Sequence, residues 1–169
     1  MSPPPKTEAG EDRVNAGPPF DELRRHRTIG WDLDLTLIGH PASPAMHDFI
    51  RATPEIRHLI VTFRSHGAQN HIWSDLAGVD GAPPPSCFAG VVNIDDAIVQ
   101  AFRRINQHRA SGHYTGPLSP AEALYRSWKG RICAQWGATI LIDDMTDYVA
   151  LGCTLHGIEL LHPNRFGRF

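Results

Sequence analysis

The chain has 169 residues, of which 41% are hydrophobic, and its formal net charge at pH 7 is −2. This length and composition suit a single globular domain with an ordinary core, and the near-neutral charge excludes the global basic field typical of nucleic-acid-binding proteins. The three cysteines are widely spaced and form no CxxC pair, which favours a reducing compartment over a disulfide framework. We expect a cytoplasmic protein without a membrane partner, because no apolar run approaches the roughly 18 residues that span a bilayer.

The first residues differ in composition from the rest of the chain. Residues 1–22 are rich in proline, glycine and charge, and they contain no apolar segment of the kind found in signal peptides. We therefore expect a disordered N-terminal tail over residues 1–22 and a single domain over residues 23–169. The letters FDELRRHR predict a short helix that leads into the domain.

Apolar runs and helical patterns alternate along the rest of the chain. The predicted strands are TIGWDLDL, RHLIVTF, CFAGVVNI, ATILIDD and IELLHP. The predicted helices are SPAMHDFIRAT, SHGAQNHIWSDLAG, DDAIVQAFRRINQHRA, SPAEALYRSWKGRICAQWG and MTDYVALGCTLHG. Ser43 and Ser119 are predicted N-caps, each followed by a proline in the first turn. This alternation predicts a three-layer, Rossmann-like α/β fold in which helices cover both faces of a parallel sheet.

Three of the predicted strands end in pairs of polar residues. The pairs are Asp32 and Asp34 at the end of the first strand, Thr62 and Arg64 at the end of the second, and Asp143 and Asp144 at the end of the fourth. The carboxyl ends of parallel strands share one edge of the sheet, where α/β folds gather their functional groups. Buried carboxylates are costly unless they are paired, hydrogen-bonded or bound to a metal. We therefore expect a site for a metal and a phosphoryl group at this edge.

The segments IGWDLDLTL, HLIVTFRS and TILIDDMTD resemble motifs one, two and four of the haloacid dehalogenase superfamily, and they occur in that order. The commonest members of this superfamily are magnesium-dependent phosphatases. The resemblance covers most of residues 28–162 and implies Mg²⁺-dependent hydrolysis of a phosphomonoester. The segment between the first two motifs is too short for a large cap domain, so the expected fold is a capless version of the superfamily's sheet.

The resemblance implies roles for individual residues. Asp32 is the expected nucleophile, which forms an aspartyl-phosphate, and Asp34 is the expected general acid and then general base. Thr62 is expected to hydrogen-bond the transferring phosphoryl group. Arg64 is expected to bind substrate as a bidentate phosphate clamp, together with Thr36. The expected Mg²⁺ ligands are Asp32, Asp34 through its backbone carbonyl, and at least one of Asp143 and Asp144.

Members of the superfamily also carry a cation, most often lysine, beside the nucleophile. Lys129 is the only lysine in the predicted domain and is expected to have this role. It lies closer to the acidic pair in sequence than in many members, so the arginines remain alternatives. They are Arg109, Arg126 and Arg131.

Two positions depart from the superfamily's commonest motifs. Leu35 stands where a glycine usually follows the second aspartate, although bulkier residues also occur there in small magnesium-dependent phosphatases. Ile142 stands where many members have a glycine before the acidic pair. Neither position carries any of the expected chemistry.

The sequence leaves the substrate open. A phosphorylated small metabolite, a nucleotide and a phospho-macromolecule are all compatible with a capless site. One alternative is a nucleic-acid-end phosphatase or phosphotransferase, which the net charge does not support but a local patch of Arg103, Arg104 and Arg109 would favour. The other is a non-catalytic partner-binding domain. Asp32 and Asp34 argue against that role, since a non-catalytic domain has no physical need for both carboxylates.

Overall fold

The computed structural model describes residues 19–111 and 116–167. The predicted tail over residues 1–22 lies outside the described residues except for its last four positions. These four belong to helix α1, Pro19–Leu23, which the sequence predicted. Leu23 is fully buried, so this short helix contributes to the core.

Five parallel strands form one sheet in the order β3-β2-β1-β4-β5. The strands are β1 Thr28–Trp31, β2 Arg57–Ser65, β3 Phe88–Ile94, β4 Ile140–Ile142 and β5 Glu159–Leu161. The last residue of β1, Trp31, pairs with Ile60 on one side and Ile142 on the other. The chain runs outward from β1 to β3 and then returns to the opposite side of β1, which creates a switch point there. The predicted parallel α/β fold is confirmed, and its strand order is Rossmann-like.

Helices connect the strands, as predicted. They are α2 Ser43–Ala52, α3 Gln69–Ala77, α4 Asp96–Ala110, α5 Pro120–Gln135 and α6 Thr146–His156. Short 3-10 helices occur at His66–Ala68, Pro85–Cys87 and Pro163–Phe166. Within the described ranges, no helix is long and apolar enough to cross a bilayer.

Two buried clusters of side chains lie on opposite faces of the sheet. Ile60 of β2 belongs to the cluster that contains Trp31, whereas its neighbours Leu59 and Val61 belong to the cluster that contains Trp128 of α5. Successive side chains of a strand point to opposite faces, so the two clusters are separated by the sheet. Helices α2 and α3 contribute to the first cluster and α5 and α6 to the second, so both faces are covered.

The first and fourth strands end earlier than the sequence predicted. Asp32 donates its backbone N–H to Ile142 at 2.8 Å, and Asp143 donates its own to Leu161 at 3.0 Å. Neither aspartate is part of a strand, because the chain turns away from the sheet at these positions. The last backbone bonds of the sheet edge therefore hold both carboxylates at the carboxyl ends of β1 and β4.

One predicted helix cap is confirmed and the other is wrong. The hydroxyl of Ser119 accepts a hydrogen bond from the backbone N–H of Glu122 at 3.1 Å, which caps α5. At the start of α2 the cap position is occupied by Ala42, and no side chain caps the helix. The Ser43 hydroxyl instead donates to the carbonyl of Thr36 at 2.7 Å. This bond ties α2 to the loop that follows β1.

Helices α5 and α6 touch through their backbones. A Cβ atom added to Gly130 of α5 would lie 2.1 Å from the carbonyl carbon of Gly152 in α6. A Cβ atom on Gly152 would lie 2.5 Å from the carbonyl oxygen of Ser127. Only glycine permits such close approach of two helices. The contact fixes the rotation of α5 and hence the direction of Lys129, the residue before Gly130.

Three histidines are buried in the core and are held neutral there. They are His26, His47 and His58. Burial lowers the pKa of each of them below the ordinary value of 6.5. The Nδ1 atom of His58 accepts a hydrogen bond from the indole N–H of Trp31 at 3.1 Å, so Nε2 carries the proton and faces Thr53. A second proton on Nδ1 would break the bond to Trp31.

Acidification is expected to destabilise the protein through these histidines. Their folded-state pKa values lie below 6.5, so the unfolded chain binds more protons as the pH falls through 6.5 toward the folded values. The stabilisation is present above pH 6.5 and is lost below it, by up to about 1.4 kcal/mol per pH unit for each histidine. Urea unfolding between pH 7.5 and 5.5 gives the net slope, to which Asp32 contributes in the opposite direction because its folded-state pKa is raised. The difference between wild type and His58→Gln isolates the contribution of that histidine. His58→Gln keeps one acceptor and one donor but does not titrate, so its slope should be smaller; equal slopes would contradict the assignment.

Candidate active site

One buried ammonium group lies between two carboxylates at the carboxyl edge of the sheet. The Nζ atom of Lys129 is 2.6 Å from Oδ1 of Asp32 and 2.7 Å from Oδ2 of Asp143. Lys129 is 1% exposed and Asp143 is fully buried. The other carboxylate oxygen of Asp143 accepts the backbone N–H of Met145 at 2.8 Å, which fixes its orientation.

Burial and mutual charge shift the pKa values of Asp32, Lys129 and the neighbouring Asp144. Burial raises the pKa of Asp32 to about 7, the charge of Lys129 opposes that rise, and Asp143 adds to it. Burial by itself would lower the pKa of Lys129, but the two carboxylates raise it above its ordinary value. The pKa of Asp144 is raised by burial and then by the charge of Asp143. Lys129 therefore stays protonated, and its single positive charge does not balance the negative charge of the carboxylates around it.

Three carboxylates are close enough to hold one metal ion. Asp32, Asp143 and Asp144 each offer an oxygen, and these oxygens lie within 4.8 Å of one another. Carboxylate oxygens are the protein ligands that Mg²⁺ prefers. Asp143 also binds Lys129 and Met145, whereas Asp144 is only partly buried. The residues present therefore fit a hard divalent cation on this edge.

The carboxylate of Asp34 lies outside that group. It is 52% exposed and forms a bidentate ion pair with Arg64, with an Nη2 to Oδ1 distance of 2.6 Å and an Nε to Oδ2 distance of 2.9 Å. The Arg64 guanidinium also binds Asp75 of α3. Both contacts raise the pKa of Arg64, and the hydrogen bonds to Asp34 contribute most. Arg64, the predicted phosphate clamp, is therefore bound to two carboxylates of the protein itself.

The two predicted threonines lie below the surface of the site. Thr62 is almost fully buried, and its hydroxyl oxygen accepts the backbone N–H of Arg64 at 3.1 Å. This leaves the hydroxyl proton of Thr62 available for donation. Thr36 is fully buried, and among the described residues its hydroxyl has no hydrogen-bond partner.

The cation beside Asp32 is Lys129, and two of the arginines considered as alternatives lie elsewhere. Arg109 and Arg126 form ion pairs with the buried Glu122, at 2.8 and 3.0 Å. The third alternative, Arg131, has an Nε atom without a hydrogen-bond partner in the described part of the chain. Lys129 alone of these contacts Asp32 in the described residues.

Sequence reasoning missed two residues that support the site. Asp75 anchors Arg64 from α3. The ring of Phe63 lies 4.4 Å from the Nζ atom of Lys129, measured to the ring centroid, and so forms a cation–π contact. Phe63 stands between two predicted site residues in sequence, which was the only available signal. No sequence pattern links Asp75 to Arg64.

Leu35 follows Asp34 and has a left-handed backbone. Its φ angle is 55°, and it is the only residue other than glycine with a positive φ among the described residues. Glycine adopts this conformation freely, whereas other residues pay about 1–2 kcal/mol for it. The leucine side chain is 58% exposed. This backbone gives a physical reason why a glycine suits this position.

Leu35→Gly is expected to be more stable than Leu35→Ala. At ordinary helix or strand positions alanine is the more stable of the two by about 0.5–1 kcal/mol. Here the positive φ angle reverses that order, and we expect glycine to be favoured by about 1 kcal/mol. Urea unfolding of the two variants gives the difference directly. A more stable alanine variant would contradict the left-handed backbone.

A cavity of about 350 Å³ opens beside Asp144, at the ends of β4 and β5. Its lining consists of Asp144, Met145, Thr146, Asp147, Tyr148 and His162. Asp144 belongs both to this lining and to the group of three carboxylates. The cavity therefore adjoins the candidate metal site at Asp144.

The sheet edge thus combines a buried carboxylate beside a fixed ammonium group, two further carboxylates and a separate aspartate paired with arginine. This arrangement can bind a divalent cation and present a carboxylate as a nucleophile. No model of a known protein family matches the chain, and no curated protein matches it either.

Proposed function

We propose that the protein is a Mg²⁺-dependent phosphatase of the haloacid dehalogenase type, without a large cap domain, that hydrolyses a phosphomonoester. The observation that carries this proposal is the contact of the buried Lys129 ammonium group with the carboxylates of Asp32 and Asp143. One ammonium between two carboxylates leaves a buried negative charge next to a third, Asp144. That surplus favours binding of a cation.

The proposed Mg²⁺ ligands are Asp32, Asp143 and Asp144, with the backbone carbonyl of Asp34. Support comes from the mutual distances of the three carboxylates and from their hard oxygen atoms. When bound, the ion supplies positive charge that offsets the negative charge of the phosphoryl oxygens.

In the proposed first step, a carboxylate oxygen of Asp32 bonds to phosphorus while the bond from phosphorus to the ester oxygen breaks. Asp34 gives its proton to the departing oxygen, so the alcohol leaves neutral. In the second step, the oxygen of a water molecule attacks the phosphorus of the aspartyl-phosphate and Asp34 accepts a water proton. Phosphate leaves and the Asp32 carboxylate is restored.

The other residues orient these reacting groups. Lys129 holds Asp32 in place and offsets its charge as the phosphoryl group approaches. Asp34 pairs with Arg64 as a carboxylate, and Asp75 anchors Arg64. Asp34 acts as the acid once the substrate draws Arg64, as phosphate clamp, onto the phosphoryl oxygens and Asp34 takes up a proton from water. The Arg64 N–H uses only a lone pair of the Thr62 hydroxyl oxygen. The hydroxyl proton of Thr62 is therefore left for donation to a phosphoryl oxygen.

The experiment that tests the proposal measures phosphate release from a panel of substrates. The panel contains p-nitrophenyl phosphate, nucleotides, sugar phosphates, a phosphopeptide and a 3′-phosphorylated oligonucleotide. Each substrate is tested with Mg²⁺, with EDTA, and with Asp32→Asn. A matched control is Asp48→Asn, which changes an exposed aspartate on α2 whose ion pair with Arg51 is at the surface.

We expect turnover that is lost in EDTA and in Asp32→Asn and kept in Asp48→Asn. Turnover that persists in Asp32→Asn would contradict the aspartyl-phosphate, and turnover in EDTA would contradict the metal. Folded protein without turnover on any substrate would favour the partner-binding alternative. The nucleic-acid alternative has little support in the structure, because Arg109 of its arginine patch is bound to Glu122.

A further inference from the structure

The cavity beside Asp144 has walls of two kinds. Met145 and Tyr148 provide apolar surface, and Met145 is among the few large apolar side chains that are exposed. Asp147 and His162 provide polar groups on the same lining. The volume of about 350 Å³ is at the lower end of the range of about 300–1,000 Å³ for small-molecule sites. It therefore has room for one small ring.

The hydrogen bonds of His162 fix which ring nitrogen carries its proton. His162 follows β5, and its Nδ1 atom accepts the backbone N–H of Asn164 at 3.0 Å. An accepting Nδ1 places the proton of the neutral ring on Nε2. His162 lines the cavity, and Nε2–H is then the hydrogen-bond donor of its ring.

The same network connects His162 to the loop after β1. Asn164 accepts a hydrogen bond through Oδ1 from Nε2 of His40 at 2.9 Å. His40 in turn accepts the backbone N–H of Ala42 through Nδ1 at 3.0 Å, which fixes its own tautomer. The donor of His162 is therefore held in a defined place before any ligand binds, which reduces the entropy lost on binding.

We propose that this cavity binds the leaving group of the substrate and that His162 selects it, by donating a hydrogen bond from Nε2 to a hydroxyl oxygen of a phosphorylated, hydroxylated ring. This inference rests on the proposed phosphatase function and names the substrate class of the same site. The link between the two is Asp144, which contributes to both the cavity and the carboxylate group.

The polar and apolar walls together specify this ligand chemistry. The carboxylate of Asp147 only accepts hydrogen bonds, whereas the Nε2–H of His162 only donates. A hydroxyl group both donates and accepts, so a ring that carries several hydroxyls can satisfy both residues. The C–H face of such a ring can pack on Tyr148 and Met145. Free sugars and the ribose of nucleotides share this chemistry.

The test compares two phosphate esters of similar shape. Glucose 6-phosphate carries ring hydroxyls, and cyclohexylmethyl phosphate keeps the ring size without them. Wild type, His162→Phe and His162→Gln are assayed with Mg²⁺ on both. Phenylalanine removes the donor, whereas glutamine restores an amide donor and can still accept the Asn164 N–H. Ribose 5-phosphate and AMP separate a free sugar from a nucleotide as the source of the ring.

We expect wild type to prefer glucose 6-phosphate through a lower KM, and His162→Phe to lose about tenfold in kcat/KM on it, the effect of one hydrogen bond. The kcat of His162→Phe on glucose 6-phosphate and its kcat/KM on cyclohexylmethyl phosphate should stay within about twofold of the wild-type values. His162→Gln should recover most of the kcat/KM that His162→Phe loses on glucose 6-phosphate. A merely structural role for His162 would lower kcat/KM equally on both esters and would overturn the inference. Equal kcat/KM values of the wild type on the two esters would also overturn the inference.

A binding measurement does not depend on turnover. Calorimetry with glucose 6-phosphate uses Asp32→Asn, with and without His162→Phe, and we expect about tenfold weaker binding when the histidine is changed. Equal affinities would overturn the inference. Mg²⁺-dependent hydrolysis of p-nitrophenyl phosphate in that case would leave the phosphatase function standing. Absence of turnover on every ester would overturn both.

Discussion

Lys129→Met is expected to lower the free energy of unfolding by about 3–5 kcal/mol in EDTA and the rate of phosphate release by about 10²–10³-fold in Mg²⁺. Methionine keeps most of the volume of the side chain but removes its charge. The carboxylates of Asp32 and Asp143 would then be buried without the ammonium group that contacts both of them. Removal of one partner of a buried ion pair is far more destabilising than loss of a surface pair.

A double-mutant cycle separates this effect from loss of packing. Asp32→Asn in the Lys129→Met background removes one of the two orphaned charges. The double variant should therefore be less destabilised than the sum of the single variants by about 0.5–3 kcal/mol, the range for residues in contact. Arg104→Met, an exposed cation on α4, is the control and should change stability by no more than about 0.5 kcal/mol. If the destabilisation of the double variant equals the sum of the two single variants, the ion contact between Asp32 and Lys129 does not form.

Gly130→Ala is expected to lower the free energy of unfolding by about 3 kcal/mol. Helix propensity predicts the opposite sign, because alanine is favoured over glycine in a helix by about 1 kcal/mol. The steric effect wins because the new Cβ would lie 2.1 Å from the carbonyl carbon of Gly152 and 2.5 Å from the backbone nitrogen of Cys153. Backbone atoms cannot rotate away as side chains can, so α5 and α6 would have to separate.

Urea unfolding of Gly130→Ala measures this effect, with Gly67→Ala as the matched control. A Cβ on Gly67 would meet no atom within 4 Å, so the control should change stability by no more than about 0.5 kcal/mol. Any folded Gly130→Ala protein should also release phosphate more slowly, because a displaced α5 moves Lys129 away from Asp32. Wild-type stability in Gly130→Ala would contradict the close contact of the two helices.

The order of elements and the polar strand ends could be predicted from the sequence because both depend on local pattern. Apolar runs that alternate with helical spacing predict a parallel sheet, and parallel strands bring their carboxyl ends to one edge. Asp32 and Asp143 lie on that edge for this reason. The ends of the first and fourth strands were predicted too late along the chain, since residue pattern alone does not reveal where the backbone turns away.

Features that depend on contacts between distant segments could not be predicted. The direction of Lys129 depends on the rotation of α5, which the contact with Gly152 fixes from another helix. The pairing of Asp34 with Arg64 depends on how the loop after β1 lies against the end of β2, and sequence spacing does not encode it. The predicted N-cap at Ser43 is wrong because the Ser43 hydroxyl donates to the carbonyl of Thr36 in the preceding loop.

The strand order also determines how the chain folds during synthesis. β1 can pair with β2 early, but its other edge stays open until β4 emerges, and the contact of Asp32 with Lys129 joins residues 97 positions apart. At the ordinary speed of synthesis that interval is on the order of 5–20 s. Contacts between such distant residues make folding slow, and an unpaired apolar strand edge invites pairing with other chains. The nascent chain with β1 half paired is therefore the species most prone to aggregate.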